Sequence, residues 1–220
     1  MKNMWIIEMG GSPRQDLTQD VRRILGNSFN IIEVGVLDGL SRKEVESHIV
    51  NGQKPQIKTI THEKKEITLN SDWVENKISE LIINIHPEKQ DAILVACDED
   101  YTSISFSSPV FFPSRIFTNA VSSIVRGKRI AVMFPVEEQI ERLGKRWEKL
   151  SQNVTFEVSN PFDHAAMICK IKHLNVDFLD YIVLDCFGFT MEHKKEVEEI
   201  TGLPCILSRA VVLGTMITLL

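Results

Sequence analysis

The sequence predicts an α/β fold made of two similar lobes, each a small parallel sheet flanked by helices. Short apolar runs of strand length alternate along the chain with stretches in which apolar residues recur three and four positions apart. This alternation is typical of parallel sheets with helices on both faces. One apolar run in each half, at 91–97 and at 181–186, ends in a cysteine. The halves therefore place similar chemistry at similar points, which indicates an internal structural duplication.

The first half begins with a strand from Trp5, followed by a glycine-rich turn and a helix for which Asp16 is a suitable N-cap. A second apolar strand covers residues 29–37. Ser41 and Glu44 have the spacing of a capping box, which predicts the start of a short helix. Both strands are thus followed by helices, as a parallel sheet requires.

The apolar period then changes from 3.6 to 2 over residues 57–60 and 66–69, which predicts an antiparallel hairpin at a sheet edge. A helix from Asp72 leads into the strand that ends at Cys97. The next segment, 98–113, is irregular and rich in aromatic residues. Its phenylalanines, Phe106, Phe111 and Phe112, either close over a pocket or pack in the core.

The second half repeats this alternation of strands and helices. In chain order it predicts strands at 128–134, 154–158, 181–184 and 205–207, with helices over 136–150, 163–173, 190–201 and the C-terminal residues. We expect a first lobe over 1–113 and a second lobe over 114–207. The C-terminal helix, 208–220, is expected to pack on the first lobe.

Composition and charge exclude several function classes. The net charge of −5 and a pI of about 5.7, without a block of basic residues, argue against nucleic acid as a partner. We expect no signal peptide and no membrane span, because no apolar run approaches the ~20 residues that a span needs. The four cysteines lack the paired spacing of a metal site, so we expect reduced thiols, a cytoplasmic location and no metal. The six histidines show no ligand spacing, and homodimer formation stays open.

Four blocks, in order along the chain, resemble the AroM family. They are Gly11-Ser-Pro-Arg-Gln-Asp16, Glu33-x-Gly-x-Leu-Asp-Gly-Leu40, Pro135-x-x-x-Gln139 with Trp147, and Leu184-Asp-Cys-Phe-Gly-Phe-Thr190. The likeness covers residues 5 to 210. The architecture of that family is similar to the aspartate/glutamate/hydantoin racemase superfamily. The resemblance implies two α/β lobes, a cleft between them that binds a small carboxylate, and one cysteine from each lobe.

Two cysteines on facing walls fit a definite reaction that needs no cofactor. To invert a carbon next to a carboxylate, one base removes a proton from one face while an acid delivers a proton to the other. We therefore take Cys97 and Cys186 as the catalytic pair of a racemase or isomerase. The neighbours are unfavourable, however, because Asp98, Glu99 and Asp185 raise the pKa of a nearby thiol and repel an acidic substrate.

The resemblance also exposes a departure from the family. Racemases of the superfamily usually have Asn-Thr or Thr after these cysteines, whereas this chain has acidic residues after Cys97 and a phenylalanine after Cys186. The predicted carboxylate-binding residues are therefore those of two strand-to-helix turns: Gly11, Ser12 and Arg14 in the first half, and Gly188 and Thr190 in the second.

Other interpretations stay open. Arg14 could instead pair with Asp16 or Asp38, and Asp38 is expected to bind loop backbone. Cys169 and Cys205 are expected in the core. The acids beside Cys97 favour a binder or sensor that has kept the cleft without the chemistry. A thiol enzyme that uses Cys186 alone is a third possibility.

Overall fold

The chain divides into two units, Met1–Phe112 and Pro113–Leu220, which are described here one at a time. The computed structural model describes residues 2–50, 56–85, 88, 91–99, 101, 109–151 and 153–220. In this described part no helix is long and apolar enough to cross a membrane.

The first unit contains a four-stranded parallel sheet in the order β2-β1-β5-β6 and a separate antiparallel pair, β3-β4. Its strands are β1 (Lys2–Glu8), β2 (Phe29–Gly35), β3 (Gln56–Ile60), β4 (Glu66–Asn70), β5 (Ala92–Ala96) and β6 (Val110–Phe111). Its helices are α1 (Gln15–Leu25), α2 (Arg42–Ser47) and α3 (Ser71–Ile85). The predicted hairpin is present, and it forms a two-stranded sheet of its own.

The second unit contains a second four-stranded parallel sheet, in the order β10-β9-β7-β8. Its strands are β7 (Arg129–Phe134), β8 (Asn153–Val158), β9 (Tyr181–Leu184) and β10 (Cys205–Leu207). Its helices are α4 (Pro113–Val125), α5 (Glu137–Glu148), α6 (His164–Lys172), α7 (Met191–Thr201) and α8 (Ser208–Leu219), with a 3₁₀ turn at Val176–Phe178.

The two sheets have the same topology. If the strands of each sheet are numbered within their own unit, both sheets have the order 2-1-3-4. Cys97 follows the third strand of its sheet, β5, and Cys186 follows the third strand of its own, β9. In open parallel sheets ligands bind outside the carboxyl ends of the strands, where the strand order reverses, which here is between the first and third strands. The predicted α/β class, with parallel sheets flanked by helices, is confirmed.

The core of each unit follows from its apolar strands. In the first unit the buried side chains come from the sheet, the hairpin and α3, and include Ile7, Ile93, Leu69 and Ile78. In the second unit they come from the sheet and from α6 and α7. Helix α8 packs against α4 and β10 within the second unit. The predicted lobe limits at 113 and 207, and the packing of the C-terminal helix on the first lobe, stay predictions.

Candidate functional site

Cys186 lies in the loop between β9 and α7, with its side chain half-buried and not in a disulfide. The Gly188 N–H donates to Cys186 Sγ at 3.3 Å, and the Phe189 N–H donates to the Cys186 carbonyl at 3.2 Å. Gly188 is required here, since a Cβ at this position would lie 2.9 Å from Pro161 Cγ. The loop thus folds back on the sulfur and supplies it with one backbone donor.

Asp185, directly before Cys186, is fully buried, and its carboxylate is directed to helix α5. Arg146 Nη2 donates to both carboxylate oxygens at 2.7 Å, and Trp147 Nε1 donates to Oδ2 at 2.6 Å. The negative charge of Asp185 is therefore offset by a guanidinium and an indole N–H. This pairing weakens the objection that Asp185 makes the site unfavourable for a thiolate or an acidic ligand.

Thr190 is the N-cap of α7, as the sequence predicts. Its hydroxyl accepts the His193 N–H at 3.2 Å, and its own N–H donates to His193 Nδ1 at 3.2 Å, which completes a capping box. Burial lowers the pKa of His193 below its usual 6.5, so the ring is neutral at pH 7 and Nδ1 can accept. Both polar groups of Thr190 thus have structural partners.

The first turn of α8 lies beside the same loop. Arg209 is 1% exposed, and its Nε and Nη2 donate to the Phe187 carbonyl at 3.0 and 2.8 Å. Its guanidinium also lies 5.7 Å from the centre of the Phe187 ring. Ser208 is fully buried, and within the described residues its hydroxyl has no hydrogen-bond partner. The residue after Cys186 is thus held by a buried positive charge.

Cys97, at the corresponding strand end of the first unit, is part of the hydrophobic core. It is 7% exposed, and Tyr101 Oη lies 3.6 Å from its sulfur. Burial raises the pKa of the Cys97 thiol well above its usual range, and the charges of Glu99 and Asp98 raise it further. At neutral pH Cys97 is therefore a thiol that can give up a proton only at a high free-energy cost.

The aromatic residues after Cys97 that the structure describes belong to this core or to its edge. Phe112 is 3% exposed and makes an edge-to-face contact with Tyr101 at 6.4 Å between ring centres. Phe111 is half-buried in β6. Core packing is therefore the role of Phe112, whereas Phe106 lies outside the described residues.

In the first unit the turn between β1 and α1 is held by Asp38. Its carboxylate accepts the Ser12 N–H at 3.0 Å, the Ser12 hydroxyl at 2.5 Å and the Gly35 N–H at 2.7 Å, and His62 Nε2 lies 2.8 Å from Oδ1. These bonds hold the pKa of Asp38 below its usual range despite partial burial. The Gly11 N–H donates to the Ile60 carbonyl at 3.3 Å. Asp38 thus has the structural role that the sequence predicts.

Arg14 lies in the same turn among acidic groups. Its guanidinium makes a two-point ion pair with Asp16, with both distances 2.7 Å. The backbone N–H of Arg14 is directed between Glu33 Oε2, at 2.8 Å, and Glu8 Oε1, at 3.2 Å. The N–H groups of Gly11, Ser12 and Arg14 therefore all have acceptors within the protein, which does not favour an anion at this turn.

The remaining cysteines divide between surface and core. Cys205 is 4% exposed, which confirms its predicted core position. Cys169 is exposed, so the prediction that it lies in the core is wrong. Its helix, α6, buries Met167 and Ile171 instead. Among the described residues no group of three or more His, Cys, Asp or Glu side chains could hold a metal ion.

Comparisons with known proteins identify the family and the fold of the chain. The family model described as AroM protein matches residues 4–220. The chain belongs to the AroM family. Comparison with the curated proteins found no match.

Solved structures of racemases and isomerases share the fold of this AroM protein at low sequence identity. The maleate isomerase Iso from Pseudomonas putida S16 is similar at a TM-score of 0.64 and 13% identity, over 99% of this chain and 93% of that one. A glutamate racemase from Bacillus anthracis gives 0.56 and 15%, over 99% and 81%. An allantoin racemase from Pseudomonas fluorescens gives 0.57 and 13%, over 98% and 89%. The predicted likeness to the racemase superfamily is confirmed at the level of the fold.

Sequence reasoning missed the groups that surround Cys186. The partners of Asp185 are Arg146 and Trp147, which are 39 and 38 residues away in sequence and leave no local signal. Arg209 did leave one, because it is the only charged residue between Cys205 and Leu220. A lone charge in an apolar segment is rarely buried without a partner. That signal indicates a specific role for the start of the last helix.

Proposed function

We propose that this protein binds a small carboxylate and acts as a cofactor-independent racemase or isomerase, with Cys186 and Cys97 as the acid–base pair. The observation that supports it best is the equivalent position of the two thiols, each after the third strand of a 2-1-3-4 sheet. Parallel sheets of this kind bind ligands at that edge. The fold is shared with a maleate isomerase, a glutamate racemase and an allantoin racemase, which supports a racemase or isomerase.

The surroundings of the two sulfurs assign them different roles. Cys97 is buried and its raised pKa keeps it protonated at neutral pH, so it enters the reaction as the thiol of the pair, although releasing its proton costs free energy. Cys186 receives a backbone N–H on its sulfur, an interaction that is stronger when the sulfur is charged, so it is the base. Cys186 then takes the proton from the carbon next to the carboxylate, and Cys97 returns one to the opposite face.

Proton exchange in deuterated water tests this proposal. The protein is incubated with a panel of amino acids, hydroxy acids and unsaturated dicarboxylates, and loss of the proton next to the carboxylate is followed by NMR. We expect exchange with at least one compound, and we expect Cys186→Ser and Cys97→Ser each to abolish it. Cys169→Ser is the matched control, because this thiol is exposed on α6, and it should leave the exchange rate unchanged.

A second candidate function is a binder or sensor without catalysis. The burial of Cys97 in the core favours it, because a racemase must also run in the direction in which Cys97 is the base. In that case carboxylates raise the melting temperature while no proton exchanges. Exchange that survives Cys97→Ser but not Cys186→Ser would instead indicate chemistry by Cys186 alone.

The carboxylate contacts predicted at Gly11, Ser12, Arg14, Gly188 and Thr190 remain part of the proposal. For Arg14 the ligand would have to replace Asp16, which now binds two guanidinium nitrogens. Arg14→Ala tests this contact: if Arg14 is the anchor, the variant loses the stabilisation by ligand.

A further inference from the structure

The site beside Cys186 needs a group that holds a carboxylate, and the predicted turns offer few free donors. In the first unit the turn N–H groups of Gly11, Ser12 and Arg14 have acceptors within the protein. In the second unit the Gly188 N–H is directed to Cys186 Sγ and the Thr190 N–H to His193 Nδ1. An anchor has to come from another element at the same sheet edge.

Helix α8 begins at that edge, next to Cys186. Strand β10 is the neighbour of β9, and Leu207 pairs with Leu184. The chain leaves β10 at Ser208 and leaves β9 at Asp185, on adjacent strands that lie about 4.8 Å apart. The bonds from Arg209 to the Phe187 carbonyl, at 2.8 and 3.0 Å, connect the first turn of α8 directly to the loop that carries Cys186.

The first turn of α8 has backbone N–H groups that have no acceptor within the helix. The first N–H groups of a helix have no partner inside it, and the N-cap, Leu207, has no side chain that could accept from them. Such a helix end carries a partial positive charge and binds anions. The carboxylate of Asp185, which follows the neighbouring strand β9, does not compensate this charge, because Arg146 and Trp147 bind it.

The hydroxyl of Ser208 is a second, independent indication of a ligand. Ser208 is the first residue of α8 and is fully buried, yet within the part of the chain that the structure describes its Oγ has no hydrogen-bond partner. Leaving a hydroxyl in this state is unfavourable, and native proteins rarely do so without a functional reason. A carboxylate at the helix end would accept from this hydroxyl and from backbone N–H groups that have no partner inside the helix.

We propose that the N-terminus of α8, with the Ser208 hydroxyl and its backbone N–H groups, binds the carboxylate group of the ligand beside Cys186. This proposal rests on the proposed function and names the anchor of the same site. The positive charge of Arg209 adds to the potential of the helix end and positions the Cys186 loop through Phe187.

Binding of malonate and acetate to matched variants tests the anchor. Dissociation constants are measured by calorimetry for the wild-type protein, Ser208→Ala, Ser159→Ala and Arg14→Ala. Ser159 is the matched control, because it is also a buried serine with an unpartnered hydroxyl after a strand of the same sheet, β8. We expect Ser208→Ala to weaken malonate binding about tenfold, the usual effect of one hydrogen bond to a charged group. The Ser159→Ala variant should bind within about twofold of the wild type, less than such a bond contributes.

The melting temperature without ligand separates binding from a structural role. Ser208→Ala removes only an unpartnered hydroxyl, so it should not lower the melting temperature, and loss of binding then has no explanation in stability. Amide shifts of Ser208, Arg209 and Ala210 in ¹H–¹⁵N spectra should move on addition of malonate to the wild type.

Each other outcome contradicts the anchor in a different way. Malonate binding that Arg14→Ala abolishes and Ser208→Ala leaves intact overturns the anchor and leaves the proposed function standing. A wild-type protein that binds inorganic phosphate but neither carboxylate overturns the assignment of the ligand class. Failure of the wild type to bind any of the three anions overturns both proposals.

Discussion

Cys97 and Cys186 follow the same strand of two sheets with the same topology, but their surroundings differ. Cys97 is in the core, next to Tyr101, and acidic residues raise its pKa beyond the effect of burial. Cys186 is half-buried and receives a backbone N–H on its sulfur. The position of a cysteine at a strand end thus does not decide its reactivity. The charges and donors around the sulfur decide it.

The acidic groups at the carboxyl edges of the two sheets also differ in their surroundings. Asp185 is bound by Arg146 and Trp147, so its charge is compensated within the second unit. In the first unit Glu8 and Glu33 approach the same N–H group, that of Arg14, and two carboxyl groups compete there for one donor. The carboxyl edge of the first sheet is therefore unfavourable for an anion, whereas at that of the second the Ser208 hydroxyl has no hydrogen-bond partner among the described residues.

The largest expected effect is on the alkylation of the two thiols. In the native protein at pH 7.5, iodoacetamide should modify Cys186 on the order of a thousandfold faster than Cys97, because Cys97 is buried and protonated. Peptide mass spectrometry of samples quenched over time measures both rates. The Cys169→Ser background removes the exposed thiol. In guanidinium chloride the two rates should converge, and equal rates in the native state would contradict the difference between the units.

The next effect concerns the buried pair that compensates Asp185. Asp185→Asn leaves the Arg146 guanidinium without its counter-charge, so the free energy of unfolding should fall by about 3 kcal/mol, as for other broken buried pairs. Urea denaturation measures it. Asp180→Asn is the matched control, because Asp180 pairs with Arg129 before the same strand but both side chains are partly exposed. Its loss should be much smaller. Equal losses of unfolding free energy in the two variants would mean that the ion pair of Asp185 is no more important for stability than an exposed one.

Local signals explain why much of the fold could be predicted from the sequence. The capping boxes are examples. Ser41 and Glu44 are three residues apart, and each side chain accepts the backbone N–H of the other residue, as the spacing predicts. Thr190 starts α7 for the same reason, although its partner at the third position is His193 rather than an acid. Strand ends at Cys97 and Cys186 follow from apolar runs that stop abruptly. Such patterns depend on neighbours in sequence.

The environment of the site depends on residues far apart in sequence, which no periodicity reveals. Asp185 was expected to disfavour a thiolate, but its charge is compensated by Arg146, 39 residues away. The sequence predicts Cys169 on the core-facing side of α6, which is wrong, because this helix buries Met167 and Ile171 and leaves Cys169 exposed. Arg209 was the exception, since a lone charge in an apolar helix is visible in the sequence.

The third prediction tests whether Glu8 makes the first unit sensitive to pH. Burial, with a smaller contribution from the neighbouring Glu33, raises the pKa of Glu8 to about 9, compared with 4.5 in the unfolded chain. Between these values the folded protein keeps a proton that the unfolded chain has released, so stability falls as the pH rises. From pH 5 to pH 7 the contribution of Glu8 should fall by about 2–3 kcal/mol, at 1.36 kcal/mol for each pKa unit.

The Glu8→Gln variant has a neutral side chain at position 8 at every pH, so its stability does not depend on the ionisation of Glu8. Subtracting the unfolding free energy of this variant from that of the wild type, at several pH values between 5 and 9, isolates Glu8 from all other groups. Glu33→Gln should keep the slope but end it at a lower pH, because burial is the main cause of the raised pKa and the neighbouring charge adds to it. A wild-type curve parallel to that of Glu8→Gln would show that Glu8 is ionised in the folded state. Glu8 would then carry a negative charge in the folded protein, as Asp185 does, and the contrast between the acidic groups of the two units would be smaller than their contacts indicate.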